Sequence, residues 1–135
     1  MSDPRIVVSR LAEATNGHDL DALVACFADD VVSDQPAHPG RRFQGKAQLR
    51  SNWEQILGGV PDVRIHPLSV VVEGDRAWCE WRFDGTRRDG APFAMRGVTI
   101  LSVREDLIER VTFYMEPVDR SDEDVSEAVR QAVEA

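Results

Sequence analysis

Four long stretches rich in β-branched and aromatic residues follow one another in the second half of the chain, over residues 63–73, 77–87, 92–104 and 107–117. Only "EGD", "RRDG" and "RED" separate them. Connections that short close hairpins, so each strand must run antiparallel to the one before it. A four-strand meander of this length has a broad apolar face that something must cover. The cover lies upstream, where the spacing of apolar residues changes from two to between three and four. Helices first and strands after predict an α+β fold with the helices packed on one side of the sheet.

Asp3 and Pro4 read as an N-cap and a first-turn proline for a helix carrying Ile6, Val7, Leu11 and Ala14, ending near Gly17. His18 and Asp19 open a second helix with Leu20, Leu23, Val24 and Phe27 as its stripe, after which "ADDVVSD" turns extended through Val31 and Val32. A proline-rich loop, "QPAHPGRR", follows. From Gly45 a third helix sets Leu49, Trp53, Ile56 and Leu57 on one side and stops at Gly58 and Gly59. The tail from Ser121 has a capping residue, acids in its first turn and Val125, Ala128, Val129, Ala132 and Val133 at helical spacing, the mark of a docked or frayed helix.

The 135 residues suit one domain, expected over 1–118, with 119–135 as an appended tail. With 24 acidic against 16 basic residues the net charge is −8, which repels nucleic acid and anionic membranes. No apolar run approaches the ~18 residues of a membrane span. "MSDPRIVVSR" lacks the order of a signal peptide, so a cytoplasmic location is expected. Cys26 and Cys79 have no metal-type spacing and sit in apolar elements, as buried free thiols do. Neither a metal nor a cofactor is expected, and no phosphate loop, nucleophile elbow or paired-histidine motif occurs. His38 and His66 read as a loop-surface and a strand-edge histidine, and "RRFQGK" as a solvated basic loop.

The stretch "WCEWRFDGTRRDG" poses the main question of orientation. Trp78, Glu80, Arg82, Asp84 and Thr86 share one face by strand alternation, and Cys79, Trp81 and Phe83 the other. Either the charged row lies in water as ion pairs of little energetic consequence, or it lines a cavity in which Arg82 sits between the carboxylates of Glu80 and Asp84, each about 6.5 Å from it along the strand. In the third long strand Met95, Gly97, Thr99 and Leu101 alternate with Val98 and Ile100, so both faces are apolar in places. Helices on one side and apolar residues on the other predict a homodimer formed across the second face.

Taken together, "FADDVVSD", "FQGKAQLRSNW", "VPDVR", "VVEGDRAWCEWRFDGTRRDG" and "GVTILSVREDLIERVTFYMEP" resemble the SnoaL-like branch of the nuclear transport factor 2-like superfamily, from about Arg5 to Val118. The resemblance implies a cone, a strongly curved mixed sheet wrapped around the helices, with a pocket inside and a dimer on the convex side. It implies a small-molecule enzyme of isomerase, cyclase or hydrolase type, acting without a cofactor on a mostly apolar ligand. The alternative within the same fold is a non-catalytic ligand-binding or interaction domain.

Matched to ketosteroid isomerase, Glu80, Arg82, Asp84 and Thr86 fall on pocket-facing positions. "RFD" is also similar to the Arg-x-Asp of limonene epoxide hydrolase. The resemblance therefore implies Arg82 and Asp84 as catalytic groups that polarise substrate or water, with Glu80 beside them. It turns Trp81, Phe83, Val98 and Ile100 toward the dimer partner. Asp34 falls where the cyclases and the isomerase carry an aspartate base; read alone, it is equally the start of an Asx turn in "DQPAHPG". Leu11 and Thr99 occupy the places of the isomerase's oxyanion pair, and Phe113 lies near that of the hydrolase's second aspartate, which disfavours both of those activities. Trp53, Met95, Thr99, Leu101, Phe113 and Met115 are the candidate ligand wall.

Overall fold

The computed structural model describes residues 3–134. Helix α1 spans Pro4–Asn16, and the Asp3 carboxylate caps it by accepting from the Arg5 amide at 2.9 Å. Val7, Val8, Leu11, Ala12, Ala14 and Thr15 form its buried face, whereas Ile6 is exposed. Helix α2, Leu20–Val24, is capped by Asp19. It is shorter than its apolar stripe predicts, because Phe27 already opens strand β1, Phe27–Asp34. A 3-10 turn at Pro39–Arg41 and the two-residue strand β2, Phe43–Gln44, lead into α3, Lys46–Gly59, whose last turn includes both terminal glycines.

Strands β3 (Arg64–Glu73), β4 (Arg76–Thr86), β5 (Pro92–Arg104) and β6 (Leu107–Pro117) form the expected antiparallel meander. The β5–β6 turn places Glu105 and Asp106 at φ 52° and 66°, the conformation of a two-residue hairpin turn that follows the twist of the strands. Strand β1 joins parallel to β6 and antiparallel to β2, which makes the curved six-stranded sheet mixed, in the order β2-β1-β6-β5-β4-β3. The free edge of β3 is tied to α1 by Asn16, whose side chain accepts from the Ile65 amide at 2.7 Å and donates to the Ile65 carbonyl at 2.9 Å. That satisfies backbone groups an edge strand otherwise leaves open.

Alternation along β4 is strict. Ala77, Cys79, Trp81 and Phe83 are buried, and Trp78, Glu80 and Arg82 face outward. Cross-strand register fixes the same sides, since Cys79, Trp81 and Phe83 pair with Thr99, Gly97 and Met95 of β5, and directly paired residues share a face. This corrects the orientation that the family comparison implied for the strand. Burying Trp81 and Phe83 gains about 1.5–3 kcal/mol per large side chain, while burying an arginine and two carboxylates carries a desolvation penalty of several kcal/mol per ion.

Gly97, at φ 152°, lets β5 approach β6 closely, because a Cβ there would lie 2.2 Å from the Tyr114 carbonyl oxygen. Helix α4, Val125–Val133, extends from the tail with Val125, Val129 and Val133 exposed.

Candidate functional site

Close packing fills one end of the space between sheet and helices, where Val7, Leu11, Leu23, Cys26, Val103 and Ile108 meet. At the other end the side chains leave a cavity of about 320 Å³. Each strand contributes its inward set to the wall: Trp81 and Phe83 from β4, Phe93, Met95, Thr99 and Leu101 from β5, Val111, Phe113 and Met115 from β6, and Phe27, Val31 and Ser33 from β1. Helix α3 closes the opposite side with Leu49, Asn52, Trp53 and Ile56. The rings lock one another. Trp53 lies tilted at 6.3 Å from Phe83, and Trp81 meets Phe83 edge-on at 5.9 Å.

Polar residues are a minority of the cavity lining. The Trp81 indole N–H donates to Thr99 Oγ1 at 2.8 Å, with both residues buried. Arg41 and Glu116 are exposed members of the lining and mark its mouth, together with Gln35, whose Oε1 accepts from Arg41 Nη1 at 3.3 Å. Behind the wall, burial pushes the Cys79 thiol up to about 12, with the neighbouring Glu80 charge adding to the effect, and burial also raises Cys26. Both cysteines are buried free thiols.

Of the residues singled out in the sequence, Trp53, Met95, Thr99, Leu101, Phe113 and Met115 come together in the cavity wall. Glu80, Arg82 and Asp84 do not. They lie on the outer face of β4, where Arg82 Nε donates to Asp84 Oδ2 at 3.2 Å and Arg96 reaches Glu80 at 3.5 Å. His66 Nε2 sits 3.1 Å from the same Asp84 oxygen, without the alignment of a hydrogen bond.

Asp34 is also outside the lining. Its carboxylate, 19 % exposed, is clamped between Arg42 Nε at 3.0 Å and the Arg110 guanidinium, and so ties the proline-rich loop to β6. The inward positions of β1 are Val31 and Ser33, with Gln35 next, because Asp34 alternates with them. Counting in twos from Val31 finds Ser33 and Gln35 in the sequence. Nothing local finds His38 and Glu116, whose Nε2 and Oε1 meet at 2.7 Å across 78 positions of chain.

A sequence profile of the SnoaL-like domain matches residues 8–111. The chain belongs to the SnoaL-like domain family. Among solved structures, this SnoaL-like chain is similar to a Catenulispora acidiphila protein of ketosteroid isomerase-like fold in complex with trimethylamine. The two share 23 % identity at a TM-score of 0.69, over 80 % of this chain and 84 % of the other. The Mycobacterium tuberculosis protein RV0760c, in complex with estradiol-17β-hemisuccinate, is 18 % identical at a TM-score of 0.73, over 86 % and 99 % of the two chains. A nuclear transport factor 2-like protein of unknown function from Cytophaga hutchinsonii is 12 % identical at 0.65, over 86 % and 92 %. At these identities the likeness is one of fold. No curated protein matches the sequence at a significant level.

Proposed function

We propose that this SnoaL-like chain binds a mostly apolar small molecule in the cavity between sheet and helices and acts on it without a cofactor, by proton transfer of the kind used in isomerase and cyclase reactions. The supporting observation is the composition of the wall. A space of about 320 Å³ falls within the roughly 300–1,000 Å³ of small-ligand sites. Aromatic and aliphatic side chains surround it, with a buried Thr99 as an interior hydrogen-bonding group. Two structural neighbours are complexes with small organic molecules, which accords with an internal ligand site in this fold.

We leave Asp34, Arg82 and Asp84 out of this mechanism, since none of them is in the cavity lining. Their ion pairs hold a loop and an outer strand face. A binding module without catalysis is the second reading, favoured by the absence of any aspartate from the cavity wall among the described residues.

Trp78, Val71 and Tyr114 are exposed on the outer sheet face, and we assign that face to a homodimer in place of the Trp81 and Phe83 surface expected from the sequence. Calorimetric titration with 2-methoxynaphthalene tests the ligand reading. Binding by the wild type that is lost in Val111→Trp, which fills the space with an indole, supports it; no binding by the wild type, or undiminished binding by the variant, refutes it.

A further inference from the structure

The basic stretch from Arg41 to Arg50 holds four cations, and three of them are spent on carboxylates: Arg42 on Asp34, Lys46 on Asp29 and Arg50 on Asp21. Arg41 is the fourth. It pairs with no carboxylate among the described residues, and it is the member of the four that lines the cavity. Glu116 does not serve as its counter-ion. That carboxylate lies on the outward phase of β6, opposite Arg96, and His38 meets it at 2.7 Å.

The tip of the Arg41 side chain is placed by its one hydrogen bond, from Nη1 to Gln35 Oε1 at 3.3 Å. Gln35 itself lines the cavity, next after Val31 and Ser33 in the inward alternation. A guanidinium carries five N–H donors and no acceptor, so the direction of this bond cannot be reversed. Gln35 must therefore turn its side-chain carbonyl to Arg41 and keep its Nε2 hydrogens for another acceptor. Two touching residues of the lining thus offer hydrogens, while the acceptor between them is already taken. Their backbone is held as well. The Arg41 amide donates to the His38 carbonyl at 2.9 Å, the Gln35 carbonyl accepts from the His38 amide at 2.8 Å, and Asp34, beside Gln35, is clamped by Arg42 and Arg110. A donor set fixed in advance loses little freedom when an anion arrives.

We propose that the ligand is an organic acid, whose carboxylate is held at the mouth of the cavity by the Arg41 guanidinium and Gln35 Nε2 and whose apolar body fills the aromatic interior. This rests on the cavity being the ligand site, as proposed above, and names the class of ligand it takes. A carboxylate accepts at both oxygens and matches the planar fork of an arginine. With a net charge of −8 the chain has no general attraction for anions, so recognition of one has to be local.

The test is a matched pair of ligands, 2-naphthoate and 2-naphthamide, which share a ring system and the shape of the head group and differ in charge. Calorimetric Kd values are measured at about pH 7.5, where the acid is ionised, for the wild type, Arg41→Gln and Arg76→Gln. The last variant removes an exposed cation at the end of β4 that pairs with Ser102, remote from the Met95 and Phe93 end. A charge-assisted contact at an exposed rim should favour naphthoate about fivefold in the wild type. That preference should fall below about twofold in Arg41→Gln, with the affinity for the amide unchanged, and should persist in Arg76→Gln. Equal affinities in the wild type, a preference that survives Arg41→Gln, or an equal loss in Arg76→Gln overturns the carboxylate assignment and leaves the ligand site standing. Failure of both ligands to bind the wild type overturns the ligand site itself and this inference with it.

Discussion

Replacing Thr99 by valine removes one oxygen at nearly constant shape and isolates one hydrogen bond of the aromatic wall. The Trp81 indole N–H donates to Thr99 Oγ1 at 2.8 Å, and Trp81 is only 2 % exposed. In the variant the donor has no replacement among the apolar neighbours, and a buried donor left unsatisfied costs about 1–3 kcal/mol. The extra methyl returns up to about 0.8 kcal/mol through burial. The net loss should be about 1–2 kcal/mol, which lowers the urea midpoint by roughly 0.5–1 M at an m-value of about 2 kcal/mol/M.

The assay is equilibrium urea unfolding of wild type, Thr99→Val, Trp81→Phe and the double variant. With Trp81 already lacking its N–H, the valine change should cost nothing, giving a coupling of about 1 kcal/mol or more. A coupling within about 0.3 kcal/mol of zero would show that the bond does not organise the wall.

Gly97→Ala should destabilise the fold by about 3 kcal/mol or more, because the new Cβ would lie 2.2 Å from the Tyr114 oxygen and 2.7 Å from Met115 Cα; a loss under about 1 kcal/mol in urea unfolding would be inconsistent with that approach. Arg82→Met should change stability by only a few tenths of a kcal/mol, with little dependence on pH from 5 to 8, since Arg82 and Asp84 are 49 % and 43 % exposed. A loss above about 1 kcal/mol would return the charged row to a buried setting. Raising the Cys79 thiol to about 12 in the folded protein means that the folded state still holds a proton that the unfolded chain releases in the ordinary thiol range. Its contribution is therefore complete below the ordinary thiol pKa of about 8.5 and is lost as pH rises toward 12. Urea unfolding between pH 8 and 11 should show a steeper alkaline decline for wild type than for Cys79→Ala, and parallel declines would contradict it.

The long strands were legible because two-residue alternation and short polar turns are local signals. Pro92–Arg104 and Leu107–Pro117 stand where the sequence puts them. Which face of β4 turns inward is not a local property. Trp81 and Arg82 each head a coherent row, and the choice is made by pairing with Thr99 and Leu101 on β5, whose inward face the core requires. Asp34 misled for a related reason. Its position in the chain matches that of a base, but alternation from Val31 turns it toward Arg110, and a break in the β1–β6 register between Phe27 and Val32 makes the phase hard to count. His38 and Glu116 meet through the closure of the whole sheet, so neither flanking segment carries a sign of the other.

The three tryptophans offer the most direct measurement of whether the cavity is where ligand binds. Trp53 and Trp81 line it, while Trp78 is 45 % exposed on the opposite face of the sheet. With ¹⁵N-labelled tryptophan the three indole N–H resonances can be followed during titration with 2-methoxynaphthalene. A ligand held between sheet and helices should shift the Trp53 and Trp81 signals along a saturable curve and leave Trp78 in place. Movement of Trp78 alone, or no saturable shift of any indole, would contradict an internal ligand site.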